Sequence, residues 1–245
     1  MKAICVIPAR LESTRLPRKL LRTIAEKPII QYVYENAKKA KKPNQVLVAC
    51  DHVELEKAVK AFGGEAVMTS TKHQSGTERL TEVAEKIQAD LFVNLQADEP
   101  LMHPSVIDDL ISAMEMNSEY VMATACIRMD DEREFKNPNV VKVVKNHKDE
   151  ALYFSRSPIP FDRDKLDHSF FKHLGIYIYT REFLLKIQTL RPSVLEKREK
   201  LEQLRALDNG FSIKVLETAY DSIGVDVEED LRKVEKIMMA RQGVS

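Results

Sequence analysis

Residues 3–10 read Ala-Ile-Cys-Val-Ile-Pro-Ala-Arg, and the loop beyond them gathers Ser13, Thr14, Arg15, Leu16, Pro17, Arg18 and Lys19. The apolar, β-branched run 3–7 is a strand signal, and cations and hydroxyls collect where that strand ends. A phosphate requires fixed positive charge with converging donors, and Arg10, Ser13, Arg15 and Lys19 supply both. A basic loop alone reads equally well as a solvated one, so its meaning depends on the rest of the chain.

The remainder alternates. β-branched runs at 45–50, 65–68 and 91–95 are separated by helical patterns at 28–39, 53–61 and 77–87, with a further helix at 104–116 and a strand at 120–127. Such a βαβα series predicts a doubly wound sheet whose ligands bind beyond the carboxyl ends of the strands. After about residue 130 the rhythm becomes strand-rich, at 140–144, 151–155 and 174–179, with a polar, proline-bearing stretch at 158–169. This predicts an inserted, largely antiparallel strand layer on an otherwise mixed α/β fold, closing over the site or making a dimer contact. A helix at 195–207, a strand at 211–216 and a helix at 228–240 complete the chain. The expected division is an α/β core over 1–128, an inserted strand-rich segment over 129–192, and a return to the core over 193–245.

The bulk numbers bound the partners. The 245 residues suffice for one large α/β domain or a core with a smaller subdomain. Lysine plus arginine equals aspartate plus glutamate at 38 each, so no global field draws the chain to nucleic acid or an anionic membrane. Any anionic ligand must be met by local clusters. Cys5, Cys50 and Cys126 are widely separated and odd in number, which fits a reducing compartment better than a disulfide framework. Arg10 and Glu12 interrupt the opening apolar stretch, and no apolar run approaches the ~18 residues of a membrane span. The expectation is a soluble, cytoplasmic protein.

Three further clusters lie just after predicted strands. Gln96-Ala97-Asp98-Glu99-Pro100 succeeds the run 91–95. Asp98 lies too far from the helix near Pro104 to cap it, and a strand-end carboxylate suits Mg²⁺, a hard ion shared with substrate phosphates. His73-Gln74-Ser75-Gly76-Thr77-Glu78-Arg79 opens a helix, with Ser75 or Thr77 as its cap and Gly76 permitting close backbone approach. Gly224-Val225-Asp226 precedes an acidic helix start, where Asp226 either caps that helix or joins Asp98 as a second metal carboxylate. The first βα loop lacks Gly-x-Gly-x-x-Gly, which disfavours a dinucleotide oxidoreductase.

Taken in order, these motifs together with Met68-Thr69, Ala151-Leu152-Tyr153-Phe154-Ser155-Arg156, His173-Leu174-Gly175-Ile176-Tyr177 and Leu201-Glu202-Gln203-Leu204-Arg205 resemble those of the 3-deoxy-manno-octulosonate cytidylyltransferases. The resemblance runs nearly end to end and implies a nucleotide-diphospho-sugar transferase-like fold. It also implies transfer of CMP from CTP to the anomeric hydroxyl of 3-deoxy-manno-octulosonate (Kdo) for lipopolysaccharide synthesis, with Mg²⁺ as cofactor and a homodimeric assembly. By this resemblance Arg10, Ser13 and Lys19 hold phosphates, Ser75 and Gly76 face the cytosine, and Pro8 and Arg79 belong to the same nucleotide site. Asp98 and Asp226 hold the metal and, with Lys19, carry catalysis. Gln96, Arg156, His173, Tyr177, Glu202 and Gln203 take the sugar, with Arg156 on its carboxylate. Other readings attach to some of these: His173 as a buried histidine, Glu202 and Arg205 as helix-surface partners, Tyr153 and Phe154 as core or dimer packing. The chain departs from the family pattern at Ala97 and Arg18, where glycine is usual, and at Cys50 and Val227, where threonine is usual; none of these removes a ligand. The rival functions are a cytidylyltransferase for a modified Kdo or another acid sugar such as sialic acid, and a non-catalytic CTP-binding module.

Overall fold

The computed structural model describes residues 1–164 and 169–242; the predicted polar stretch 158–169 therefore lies partly outside the described residues. In chain order the elements are β1 (Ala3–Ala9), a 3₁₀ turn (Lys19–Leu21), the short pair β2 (Thr23–Ile24) and β3 (Lys27–Pro28), α1 (Ile29–Lys38), β4 (Gln45–Cys50), α2 (Val53–Ala61), β5 (Ala66–Met68), α3 (Gly76–Lys86), β6 (Leu91–Leu95) and α4 (Pro104–Met116). Next come β7 (Met122–Met129), α5 (Glu132–Lys136), β8 (Lys142–Lys145), β9 (Ala151–Ser155), β10 (Phe170–Thr180), α6 (Arg181–Ile187), α7 (Val194–Glu199), α8 (Gln203–Asp208), β11 (Lys214–Glu217) and α9 (Glu228–Gln242).

One mixed sheet runs in the order β11-β7-β10-β6-β1-β4-β5. β6, β1, β4 and β5 are mutually parallel, β10 enters antiparallel between β6 and β7, and β11 lies parallel to β7. The strands are apolar on both faces because helices cover both. Ile4, Val6, Phe92 and Tyr179 pack with α3, α6 and α8, while Cys5, Ile7, Val93 and Ile178 pack with α1, α2, α4 and α9.

The antiparallel strands grow from the same sheet. Residues 176–180 of β10 pair with β6, whereas Phe171 and Lys172 pair with β8, which in turn pairs with β9. A register shift between Leu174 and Tyr177 marks the change of neighbours. Thus β10 carries core and extension in one strand.

Helix starts obey capping chemistry. Ser75, not Thr77, caps α3 by accepting from Glu78 N at 3.2 Å. His103 caps α4, so Asp98 plays no part there. Ahead of α9, Asp230 accepts from the backbone N–H groups of Asp226 and Val227 at 2.9 and 3.0 Å, which leaves the Asp226 carboxylate for other partners. The predicted helix 195–207 is two helices, because Lys200 turns left-handed (φ 55°) after a Ser193–Glu196 capping box.

Candidate active site

The strand-end rule places the chemistry: β1 and β6 are neighbours, and the loops that leave their carboxyl ends face the start of α3. A cavity of about 280 Å³ opens there. Its walls include Pro8, Arg10, Ser13 and Lys19 from the first loop, Ser75, Gly76 and Arg79 from α3 and its cap, Gln96 and Asp98 after β6, and Glu202 and Asp226. Eleven of the predicted site residues therefore meet although they span more than two hundred positions of chain. Leu20, His73, Gln74 and Ala97 complete the lining.

At the floor Lys19 stands between two carboxylates. Its Nζ lies 2.5 Å from Asp98 Oδ2 and 3.1 Å from Asp226 Oδ1, and Arg15 Nη2 lies 2.8 Å from the same Asp226 oxygen. Burial pulls the Lys19 ammonium down, but the charges and hydrogen bonds of Asp98 and Asp226 outweigh it and hold its pKa above the ordinary value. The carboxylates are brought together by backbone as well, since Val225 N donates to Asp98 O at 2.9 Å. Behind them the half-buried Glu99 carboxyl accepts from the Ser222 hydroxyl and fills the space a side chain at Gly224 would need, 3.3 Å from its would-be Cβ. Burial, then the Asp98 charge, push Glu99 up to about 7.

Two oxygens converging on one cation suit a hard divalent ion. Among the described residues no group of three or more His, Cys, Asp or Glu side chains could hold a metal without further help. A pair of carboxylates is the donor chemistry that a divalent ion completed by phosphate oxygens would need.

The nucleotide-side residues divide by exposure. Arg10 is exposed and Ser13 half-buried, as solvent-facing phosphate ligands would be. Arg79 lies buried in the cavity wall, its guanidinium donating to Thr69 Oγ1 at 2.5 Å, Ser70 O at 3.2 Å and Asp51 Oδ2 at 3.4 Å. Asp51 also accepts from Leu11 N at 2.9 Å, so Arg79 and Asp51 brace the basic loop against α3. Composition flags neither Asp51 nor this brace; the available signal is Asp51's place at the end of β4, beside β1. Gly76 has a local reason: a Cβ there would stand 3.2 Å from the Pro8 ring.

The sugar-side predictions separate. Gln96 and Glu202 reach the cavity. Glu202 is not paired with Arg205, whose fork instead grips Glu196 at 2.8 and 2.7 Å. The Glu202 carboxylate is raised by desolvation against hydrogen bonds with Thr77 and Ser75. A smaller cavity of about 180 Å³, lined by Thr77, Glu78, Gln188, Glu196 and Arg205, continues past it. His173 lies in the core, 3.0 Å from the Thr124 hydroxyl and edge-on to Phe154, and burial lowers its pKa to about 3. Tyr177 packs against His173 with ring centroids 5.3 Å apart. Arg156 turns to Glu199 O and Pro138 O, at 2.7 and 3.0 Å. Gln203 is buried with Nε2 unpartnered, as is Asn94 Oδ1 on β6. Such groups cost ~1–3 kcal/mol each unless a ligand pairs them. Thus Arg156, His173, Tyr177 and Gln203 do not line either cavity.

A family model described as cytidylyltransferase matches residues 4–217. The chain is 48% identical to the 3-deoxy-manno-octulosonate cytidylyltransferase of Geobacter metallireducens, covering 96% of each chain. It is 49% identical to the protein of that name from Geotalea daltonii, over 96% of this chain and 97% of the other. A solved structure of a CMP:2-keto-3-deoxy-manno-octonic acid synthetase complexed with CTP superposes with a TM-score of 0.94 at 43% identity, over 98% of this chain and all of that one.

Proposed function

The chain belongs to the 3-deoxy-manno-octulosonate cytidylyltransferases, and on that premise we infer that it transfers CMP from CTP to the anomeric hydroxyl of Kdo, releasing pyrophosphate. The observation that carries this reading is the Asp98–Lys19–Asp226 cluster in the cavity, with the exposed Arg10 lining the same cavity. The anomeric hydroxyl oxygen forms a bond to the α-phosphorus and gives up its proton to solvent, the bond from that phosphorus to the β-phosphate bridge breaks, and pyrophosphate leaves with the electron pair. Both substrates are anions, so charge neutralisation and positioning carry the catalysis.

Asp98 and Asp226 would hold Mg²⁺, which when bound neutralises phosphate charge and polarises the α-phosphoryl oxygen. Lys19, fully charged between them, bears on the charge that develops on the transferred group. Arg10 and Ser13 hold the outer phosphates from the open side. α3 opens toward the cavity with its positive end and its first-turn N–H groups, which suit an anion or the acceptors of a base edge. Gln96 and Glu202, which line the cavity, meet the sugar hydroxyls; Arg156 lines neither cavity, and its pairing with the sugar carboxylate is what the family motif implies. A homodimer and a cytoplasmic location accord with the same reading; no helix among the described residues is long and apolar enough to cross a membrane.

The metal assignment is tested by incubating EDTA-treated protein with CTP and Kdo and monitoring CMP-Kdo by phosphorus NMR. Product is expected only when Mg²⁺ is restored. Equal product without it would remove Asp98 and Asp226 from this role.

A further inference from the structure

Lys142 is a lysine with no exposed surface, on the middle strand of the β9-β8-β10 extension. No carboxylate among the described residues lies within ion-pair distance of it. Its ammonium is instead spent on three carbonyls: Val140 O at 2.5 Å, Arg156 O at 2.7 Å and Asn137 O at 3.0 Å. An ammonium has three donors, and all three are used. Burying such a charge against neutral partners is costly, and burial lowers its pKa, with Arg156 adding repulsion and Glu199 opposing. A lysine held at that cost ties down something specific.

It ties down Arg156 twice. One bond fixes the Arg156 carbonyl, and the other two fix the turn at 137–140, whose Pro138 carbonyl receives Arg156 Nη1 at 3.0 Å. Glu199 completes the frame by accepting from Arg156 N at 2.9 Å and Ser155 Oγ at 2.6 Å, while its own carbonyl takes Arg156 Nε at 2.7 Å. Every contact of the guanidinium is thus with backbone that is itself anchored. Nε and Nη1 are engaged, and Nη2 makes no hydrogen bond among the described residues.

We propose that Lys142 is a positioning residue for sugar recognition, setting the backbone and side chain of Arg156 so that its outer nitrogen meets the substrate carboxylate. The proposal rests on Arg156 being the ligand of that carboxylate. Nucleotide binding, built on β1, α3 and β6, lies outside the frame and should not feel it.

The test compares steady-state constants of the full chain with Lys142→Met, Lys142→Gln, Arg156→Ala and the double variant Lys142→Met/Arg156→Ala. Lys142→Met should raise KM for Kdo about tenfold while KM for CTP changes less than about twofold. Lys142→Gln, which keeps some donor capacity and folds more readily, should show the same split to a smaller degree. Because Lys142 acts through Arg156, the double variant should match Arg156→Ala alone within about twofold. Unchanged KM for Kdo in a folded Lys142 variant, equal rises for both substrates, or multiplying defects in the double variant would each overturn the proposal. So would failure of both Lys142 variants to fold, which would make the residue one of stability alone. If instead Arg156→Ala leaves KM for Kdo unchanged, Arg156 is not the carboxylate ligand, and this single variant separates that failure from failure of the Lys142 proposal.

Discussion

Arg18 shows what a single position carries. Of the two places where glycine is usual in the family, Ala97 has an ordinary backbone and is buried, whereas Arg18 sits left-handed at φ 56° ahead of the Lys19 turn. The strain therefore falls on Arg18, and its ion pair with Glu54, both side chains well exposed, offsets little of it. Arg18→Gly should be more stable than Arg18→Ala by about 1 kcal/mol, read from denaturant midpoints, since both lose the guanidinium and only one relieves the left-handed φ. Asp98→Asn should abolish turnover. It should also cost about 1–2 kcal/mol of stability, because the buried Lys19 loses one of its two carboxylates. His173 supplies a pH signature. Its imidazole takes a proton near 6.5 when unfolded but only near about 3 when folded, so its contribution is full above 6.5 and is lost as pH falls toward 3. Glu99, raised to about 7, works oppositely, stabilising below its unfolded 4.5 and losing that as pH rises through 7. The melting-temperature gap between wild type and His173→Gln should accordingly narrow from pH 7 to pH 5. A constant gap would contradict the burial assignment.

At the level of elements, α3 turns local sequence into site geometry. Ser75 caps it, Gly76 lets it approach Pro8, and Arg79 braces it to Asp51 and the basic loop. Gly76→Ala must push the helix start from the Pro8 ring, so KM for CTP should rise several-fold at a stability cost of about 1–2 kcal/mol. An unchanged KM for CTP would detach α3 from the nucleotide. These features are legible in the sequence because caps, glycines and strand ends have local signatures. Other elements are not. The break between α7 and α8 depends on a left-handed Lys200, for which a lysine gives no sign. α6 is absent from the sequence reading, although Thr180 before Phe183, Leu184 and Ile187 offers a cap and an apolar face. β10 begins four residues before its predicted start, because Phe170 to His173 gain their strand character from β7 and β8, partners remote in sequence.

Across the whole molecule, one strand joins the sheet beneath the cavity to the antiparallel extension. β10 lies against β6, which leads to Gln96 and Asp98, and farther along against β8, which carries Lys142. The parallel half and its cavity are readable as alternation ending in polar strand ends. The sugar-side residues predicted on β10 and α8 are readable only as motifs, since His173, Tyr177 and Gln203 look alike whether they pack or bind, and only their neighbours in space distinguish the two. The Asp98–Lys19–Asp226 cluster and a framed Arg156 are thus expected to act together on one acid sugar. The most direct measurement is pyrophosphate release by the purified chain with CTP and Mg²⁺, comparing Kdo, sialic acid and no sugar, with EDTA as control. Rapid, EDTA-sensitive release with Kdo alone is the predicted result; release with sialic acid instead, or with no sugar present, would contradict it.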